Sequence, residues 1–206
     1  DNVVFSDAIP LNVGVGDIIQ FGGGSNLDAI VIQGRTSTTT YTGREPDGSV
    51  IAAATATTSA PAAIYRAHTT LDNLEEQTTG DVNTGIDAGL RADIVLPTQD
   101  LVASSAAAFA ALYASTSPDN EQVTIDGWTT GTSTYIKIYT PDDLFEVGES
   151  QRHSGVWNDE KYRLKGIGLP STAFMISTGE HSTRLQGLQI YSDESGVEIK
   201  SGASNA

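Results

Sequence analysis

The chain has 206 residues, 38% of them hydrophobic, and a formal net charge of −15 from 26 acidic and 11 basic side chains. Phosphate backbones repel such a surface, which argues against nucleic acid as a partner, and the absence of cysteine excludes disulfide staples and thiolate metal sites. No apolar run is long enough for a membrane span. Starting at Asp1, with no initiator Met and no signal peptide, the chain reads as a processed or trimmed product. Ala, Gly, Ser and Thr fill much of the remainder, so the core is expected to be lean.

In chain order, short strands come first. Leu11–Val15, Asp17–Phe21 and Asp28–Gln33 are β-branched or aromatic runs bounded by Gly and Asn. Thr36–Thr42 alternates weakly and reads as an exposed edge strand. Pro46-Asp47-Gly48 predicts a turn, because Gly accepts positive φ after the Pro-Asp pair. Ala52–Ala63 is a small-residue run, either loop or closely packed strand, and Ile64–Ala67 closes the module.

Thr70 is placed to cap a short helix over Leu71–Gln77, with Asp72 in its first turn. Thr78–Pro97 reads as loop, which sets two modules at 1–78 and 79–206. Asp100 is a good N-cap and the Ala-rich run after it favours helix. A helix over Asp100–Ala114 is therefore expected, with a strand at Phe109–Tyr113 as the alternative. After Pro118 the chain returns to strands: Gln122–Ile125, Tyr135–Tyr139, Tyr162–Leu164, Ala173–Ile176, Arg184–Tyr191 and Val197–Lys200. Their spacing suits a β-sandwich or the coils of a β-helix. The expected fold is mainly β: a small N-terminal β module, then a β-helix-like or sandwich module, with one or two short helices. Trp128, Tyr135, Ile136, Ile138, Trp157 and Leu164 are expected to share one core, with the isoleucines inward.

The stretches "TIDGWTTGTSTYIKIYTP" and "EVGESQRHSGVWNDEKYRL", preceded by "VGVGDIIQF", "IQGRTSTTTYT" and "IYRAHTTLDNLEEQTTG", resemble segments of phage and environmental virion-surface or extracellular proteins. Those proteins carry a pectin-lyase-like parallel β-helix. The resemblance implies that architecture and carries no catalytic residues with it. This chain stops soon after the first coils of that pattern, so either a neighbouring subunit covers an open end or the fold is a compact sandwich.

Candidate chemistry is sparse. His68, His153 and His181 lack metal-ligand spacing to one another. Arg152, His153, Trp157 and Asp159 form the densest polar-aromatic cluster. With Trp128 they are the candidate ligand-binding residues, suited to a sugar or an anion, against the plainer reading of a pinned loop and buried Trp anchors. Asp81, Asn83 and Asp87 set oxygens at intervals that a calcium loop uses. Gly85 stands where a ligand is wanted and no Glu closes the loop, so an Asx-rich turn competes with calcium. Asp142, Asp143, Glu146 and Glu149 could pair as hydrolytic carboxylates, yet lie in a Pro-Asp-Asp turn and read as a solvated acidic loop. Gly22-Gly23-Gly24 lacks the Lys-Ser/Thr of a phosphate loop.

These readings combine into a non-enzymatic structural or assembly protein of a virion surface (capsid decoration or fibre-like) or an extracellular filament. Its expected partners are copies of itself or other subunits of that assembly, and calcium is the one cofactor left open. The alternative is a carbohydrate-binding or carbohydrate-cleaving β-helix protein.

Overall fold

A computed structural model describes residues 1–22, 27–51, 63–166, 174–178, 180, 182–193 and 195–199. The protein is mainly β, and its chain divides into two compact units. The first takes Asp1–Thr69, Gln77–Val95 and Pro141–Ser150; the second takes Thr70–Glu76, Leu96–Thr140 and Gln151–Ala206. Each unit is thus assembled from several separate segments of the chain.

The first unit is built on a five-stranded antiparallel sheet of order β1-β4-β3-β2-β5. Its strands are β1 (Asn2–Val4), β2 (Asp17–Phe21), β3 (Asp28–Arg35), β4 (Thr40–Arg44) and β5 (Ala63–Arg66). Both faces are covered, so β2 reads as a nearly continuous apolar run. Ile19, Phe21, Ile30, Ile32 and Tyr41 bury one face; Ile18 and Ala29 bury the other beneath Val82, Ile86 and Leu90. Asp17 is buried at the start of β2 and is paired with Arg66 of β5. Burial pushes the Asp17 carboxyl above its ordinary range, and the Arg66 charge opposes that shift.

Several expectations change here. Of Thr36–Thr42 only Thr40–Thr42 join a strand, and it is no exposed edge: β4 lies between β1 and β3, with Tyr41 fully buried against the Phe5 ring, while Thr36–Thr38 are exposed bends. Leu11–Val15 forms turns and a single bridge, Gly14 to Val147, and the strand begins only at Asp17. The Pro-Asp-Gly turn forms as expected, with Gly48 at φ +85° and Glu45 bonded across it to Ser49. The run Ala52–Ala63 lies outside the described residues up to Ala63, which opens β5.

The second unit begins with α1 (Leu71–Glu76), where Thr70 Oγ1 accepts the Asn73 amide at 3.2 Å. A four-residue helix, α2 (Arg91–Ile94), falls in the first unit within the stretch read as loop. Asp100 caps α3 as expected, accepting the Ala103 amide at 2.9 Å, but the helix covers only Leu101–Ser104. Ser105 ends it in the left-handed region at φ +53°. The Ala-rich run beyond is β6 (Ala108–Ala111), a strand. Helix propensity is a weak prior, and pairing with Ile136–Tyr139 overrides it.

The remaining strands are β7 (Val123–Ile125), β8 (Ile136–Tyr139), β9 (Arg163–Gly166), β10 (Phe174–Thr178), β11 (Thr183–Gln186), β12 (Gln189–Ser192) and β13 (Ser195–Ile199). They form three small parallel sheets, β7-β10-β13, β6-β8-β11 and β9-β12. From β7 onward the chain visits the three sheets in strict rotation and then repeats the order. Asp119 adds a lone parallel bridge to Leu164, one pass earlier. The expected strand Arg184–Tyr191 is split at Gly187, whose φ of +75° turns the chain from one sheet to the next. A Cβ there would sit 2.5 Å from both Arg152 Nε and Thr140 Oγ1, so only glycine fits this corner.

Inward side chains make one core: Leu71, Leu101, Ala110, Val123, Ile125, Trp128, Ile136, Ile138, Tyr162 and Leu164 among them. Trp128, Ile136, Ile138 and Leu164 meet the expectation. Trp157, 42% exposed, and Tyr135, half-buried on an outer face, do not join it.

Replacing Ile136 by Ala should cost about 2–5 kcal/mol, measured by urea unfolding, because it empties a buried site; a change within roughly 0.5 kcal/mol would contradict its burial. Arg66→Ala should cost about 3–5 kcal/mol at neutral pH, because it strands the buried Asp17 carboxylate. Arg66→Ala combined with Asp17→Asn should recover part of that loss.

Candidate functional site

Alternation along a strand sends every second side chain outward, and parallel pairing without offset lines up those outward residues across neighbouring strands. In β6-β8-β11 the register sets Phe109 beside Lys137 and Lys137 beside Arg184. One rung thus carries an aromatic ring and two cations. Phe109 is 57% exposed, and its ring meets Tyr135 edge-on at 5.9 Å. The Arg184 guanidinium lies 3.4 Å from the centre of the Tyr135 ring, and Lys137 Nζ lies 4.1 Å from that of Tyr139. These are close cation–π contacts.

The β9-β12 sheet repeats the arrangement. Lys165 pairs in register with Tyr191 and stands 5.6 Å over its ring. Trp157 meets Tyr191 edge-on at 6.3 Å. Gln189 of β12 positions this loop, accepting the Asn158 amide at 2.6 Å and donating to the Asn158 and Tyr162 carbonyls at 2.9 and 3.1 Å. Among the described residues, Lys137, Lys165 and Arg184 have no carboxylate within ion-pair distance. In a chain with 26 acids this leaves the outward face of β6-β8-β11 cationic and aromatic, whereas beside β9-β12 the Asp159 carboxylate bonded to Trp157 is also drawn to the Lys165 charge.

The residues proposed from sequence scatter. Trp157 and Asp159 come together: the indole Nε1 donates to Asp159 Oδ1 at 2.9 Å, and Arg163 reaches the same oxygen at 3.1 Å. Those two bonds hold the Asp159 carboxyl below its usual range. His153 Nδ1 accepts the Gly155 amide at 3.0 Å in a local turn. Arg152 donates to the Thr140 carbonyl at 3.2 Å beside the Gly187 corner. Trp128 is buried, its indole donating to Glu75 Oε1 at 3.1 Å, so it serves as an anchor in the core.

In the first unit, Asp81 accepts from Thr78, Asn83 Oδ1 accepts the Gly85 amide at 2.9 Å, and Asp87 Oδ1 accepts the Gly89 amide at 2.9 Å. The last two are the bonds of Asx turns. Among the described residues no three His, Asp or Glu side chains converge as a metal site. Asp142 and Asp143 likewise close their own loop, accepting from Ser150 Oγ at 2.5 Å and the Phe145 amide at 2.8 Å.

Sequence reasoning missed Phe109, Lys137, Lys165, Arg184 and Tyr191 as surface partners, and the buried Tyr139 ring that Lys137 lies over. The alternation Tyr135-Ile136-Lys137-Ile138-Tyr139 marked Lys137 as facing away from the isoleucines. What it could not supply was which distant strand lies alongside.

Comparison with models of known protein families, with curated proteins and with solved structures finds no match for this chain.

Two half-buried carboxylates brace the site from within. Glu75 Oε1 accepts the Asp126 amide and the Trp128 indole, each at 3.1 Å. Asp119 Oδ2 accepts the Leu71 amide at 2.8 Å and the Tyr162 hydroxyl at 3.1 Å. Burial pushes both carboxyls above their ordinary range, against the pull of these bonds. The Tyr162 hydroxyl is raised well above its own range, by burial first and then by the Asp119 charge.

An acid with a raised folded pKa stays protonated in the folded chain over a window where the unfolded chain has released its proton. Its contribution is present below the unfolded value and is lost as pH rises through the folded one. Glu75→Gln removes this titration while keeping an acceptor for Trp128. The stability of Glu75→Gln relative to wild type should therefore increase as pH rises from about 4 toward 7, measured by denaturant unfolding at each pH. A relative stability that falls over that range would contradict the raised carboxyl. Glu75→Ala leaves the indole N–H without its acceptor and should cost about 1–3 kcal/mol.

Proposed function

We propose that the chain is a non-enzymatic structural subunit of a virion surface (capsid decoration or fibre-like) or of an extracellular filament, and that its second unit is the opening of a parallel β-helix. The observation that carries this reading is the strict rotation of strands among three parallel sheets. Ile176 pairs with Val197 on the following pass, within the roughly 20–50-residue period of solenoids, and with Val123 on the preceding, longer pass. Stacked coils grow by adding strands to sheet margins. β13 and β11 are margin strands among the described residues, and margins are normally paired or covered.

The non-enzymatic part of the proposal rests on how the buried acids are used. Asp17 is neutralised by Arg66, Glu75 holds Trp128, and Asp119 holds Leu71 and Tyr162. Each fastens structure. The proposed partners are copies of the chain or other subunits of the same assembly, and the proposed location is outside the cell.

A second reading, carbohydrate binding, is favoured by the exposed Trp157 and Tyr191 rings beside Lys165. Rings of this kind offer flat apolar area with polar groups at the rim.

Light scattering of the purified chain over a range of salt and calcium concentrations tests the first reading. Particles much larger than one 21.6 kDa chain are expected once salt screens the net negative charge. A heat-stable monomer under every condition would overturn it. Carbohydrate binding would then become the better account, and Trp157→Ala should abolish oligosaccharide binding on a glycan array.

A further inference from the structure

The geometry points to a specific head-to-tail contact between copies: the acid-flanked tip Leu144–Phe145 of one copy docks on the cationic aromatic face of β6-β8-β11 of another. This rests on the reading of the chain as an assembly subunit and names the surfaces that would join.

The tip has an unusual composition for a solvated loop. Leu144 is 68% exposed and Phe145 73%, and Asp142, Asp143 and Glu146 adjoin them in sequence. Exposing two successive large apolar side chains is costly unless they meet a partner. The tip is also firmly presented. The Arg35 amide donates to the Phe145 carbonyl at 2.6 Å, and the Phe145 amide donates to Asp143 Oδ1 at 2.8 Å. Val147 is fully buried and bridges to Gly14. A preorganised tip loses little conformational freedom on docking.

The face offers the matching chemistry. Phe109 supplies an open apolar surface at 57% exposure. Lys137 and Arg184 supply charge that no carboxylate among the described residues neutralises. The tip carries three acids against one base, Arg35, whose Nη1 donates to the Leu144 carbonyl at 3.5 Å. Its surplus is therefore negative and complements the base-rimmed aromatic face in both charge and apolar surface, which sets register and partner choice. Tip and face are different surfaces, so the contact is heterologous. It passes from copy to copy and builds a chain or ring in place of a closed dimer. The net charge of −15 opposes approach at long range. At about 0.15 M salt that repulsion is screened beyond roughly 8 Å, and the contacting pairs persist.

Sedimentation velocity at about 0.15 M salt, over a series of protein concentrations, tests the contact with three samples beside wild type. The substitutions K137E/R184E spoil the face, L144S/F145S spoil the tip, and the third sample mixes these two variants. All four substitutions are at outward positions, and unchanged thermal melts establish that the variants fold. Wild type should grow in mean mass with concentration. Each variant alone should associate at least roughly tenfold more weakly, a loss of about 1.4 kcal/mol. The mixture should form one-to-one complexes that grow no further, since only one intact tip and one intact face remain per pair. Variants that assemble as wild type does would overturn this contact and leave the subunit reading standing. A mixture with no one-to-one complex would overturn the head-to-tail pairing. A wild-type chain that stays monomeric would overturn both proposals.

Discussion

Parallel pairing without offset is the constraint on which the second unit depends. It places residues of the same facing side by side on successive passes of the chain. The row Ala110–Ile138 lies inward and the row Phe109–Lys137–Arg184 lies outward, and the same register creates both. A slip of one residue in β8 would exchange the two, exposing isoleucines and burying a lysine. The cationic face and the apolar core are thus two results of one alignment, and a shift in register would disturb both together.

Carboxylates hold this alignment in place at several points. Asp119 joins the start of α1 to the Tyr162 hydroxyl, while its own backbone bridges to β9. Glu75, at the end of α1, holds the indole of Trp128. One six-residue helix is therefore bonded to the stack at both of its ends. Such a helix is too short to be stable alone, and these bonds together with the burial of Leu71 account for its presence. The cost is that acids sit where burial disfavours their charge, a cost that neighbouring amide and hydroxyl donors partly offset.

Local chemistry was legible in the sequence, and long-range pairing was not. Thr70 and Asp100 act as caps, Gly48 makes its turn, and the alternation around Ile136 and Ile138 gives the inward face. The run Ala106–Ala111 misled because helix propensity is local, whereas β6 exists through a neighbour that follows some two dozen residues later. β4 misled for a similar reason: the Thr-rich stretch gave no sign that Asn2–Val4 would pair along its outer side. Among site residues, Trp157 and Asp159 were correctly seen as neighbours because they are close in sequence. Lys165 with Tyr191, and Tyr135 with Arg184, are joined only by register. Composition registers a shortage of cations but not that several of them gather on the outward sides of two small sheets.

The interleaving of the two units affects how the protein can be made and broken. The chain passes from one unit to the other after Thr69, Glu76, Val95, Thr140 and Ser150. Neither unit corresponds to an uninterrupted stretch of gene, so truncation at any single point leaves at least one of them missing a segment. A ribosome delivers the sheet of the first unit early, but its Pro141–Ser150 segment arrives only after β8 has been made. Completion of the first unit must therefore wait for synthesis of much of the second. A protease that nicks one crossing leaves the other covalent connections between the units in place.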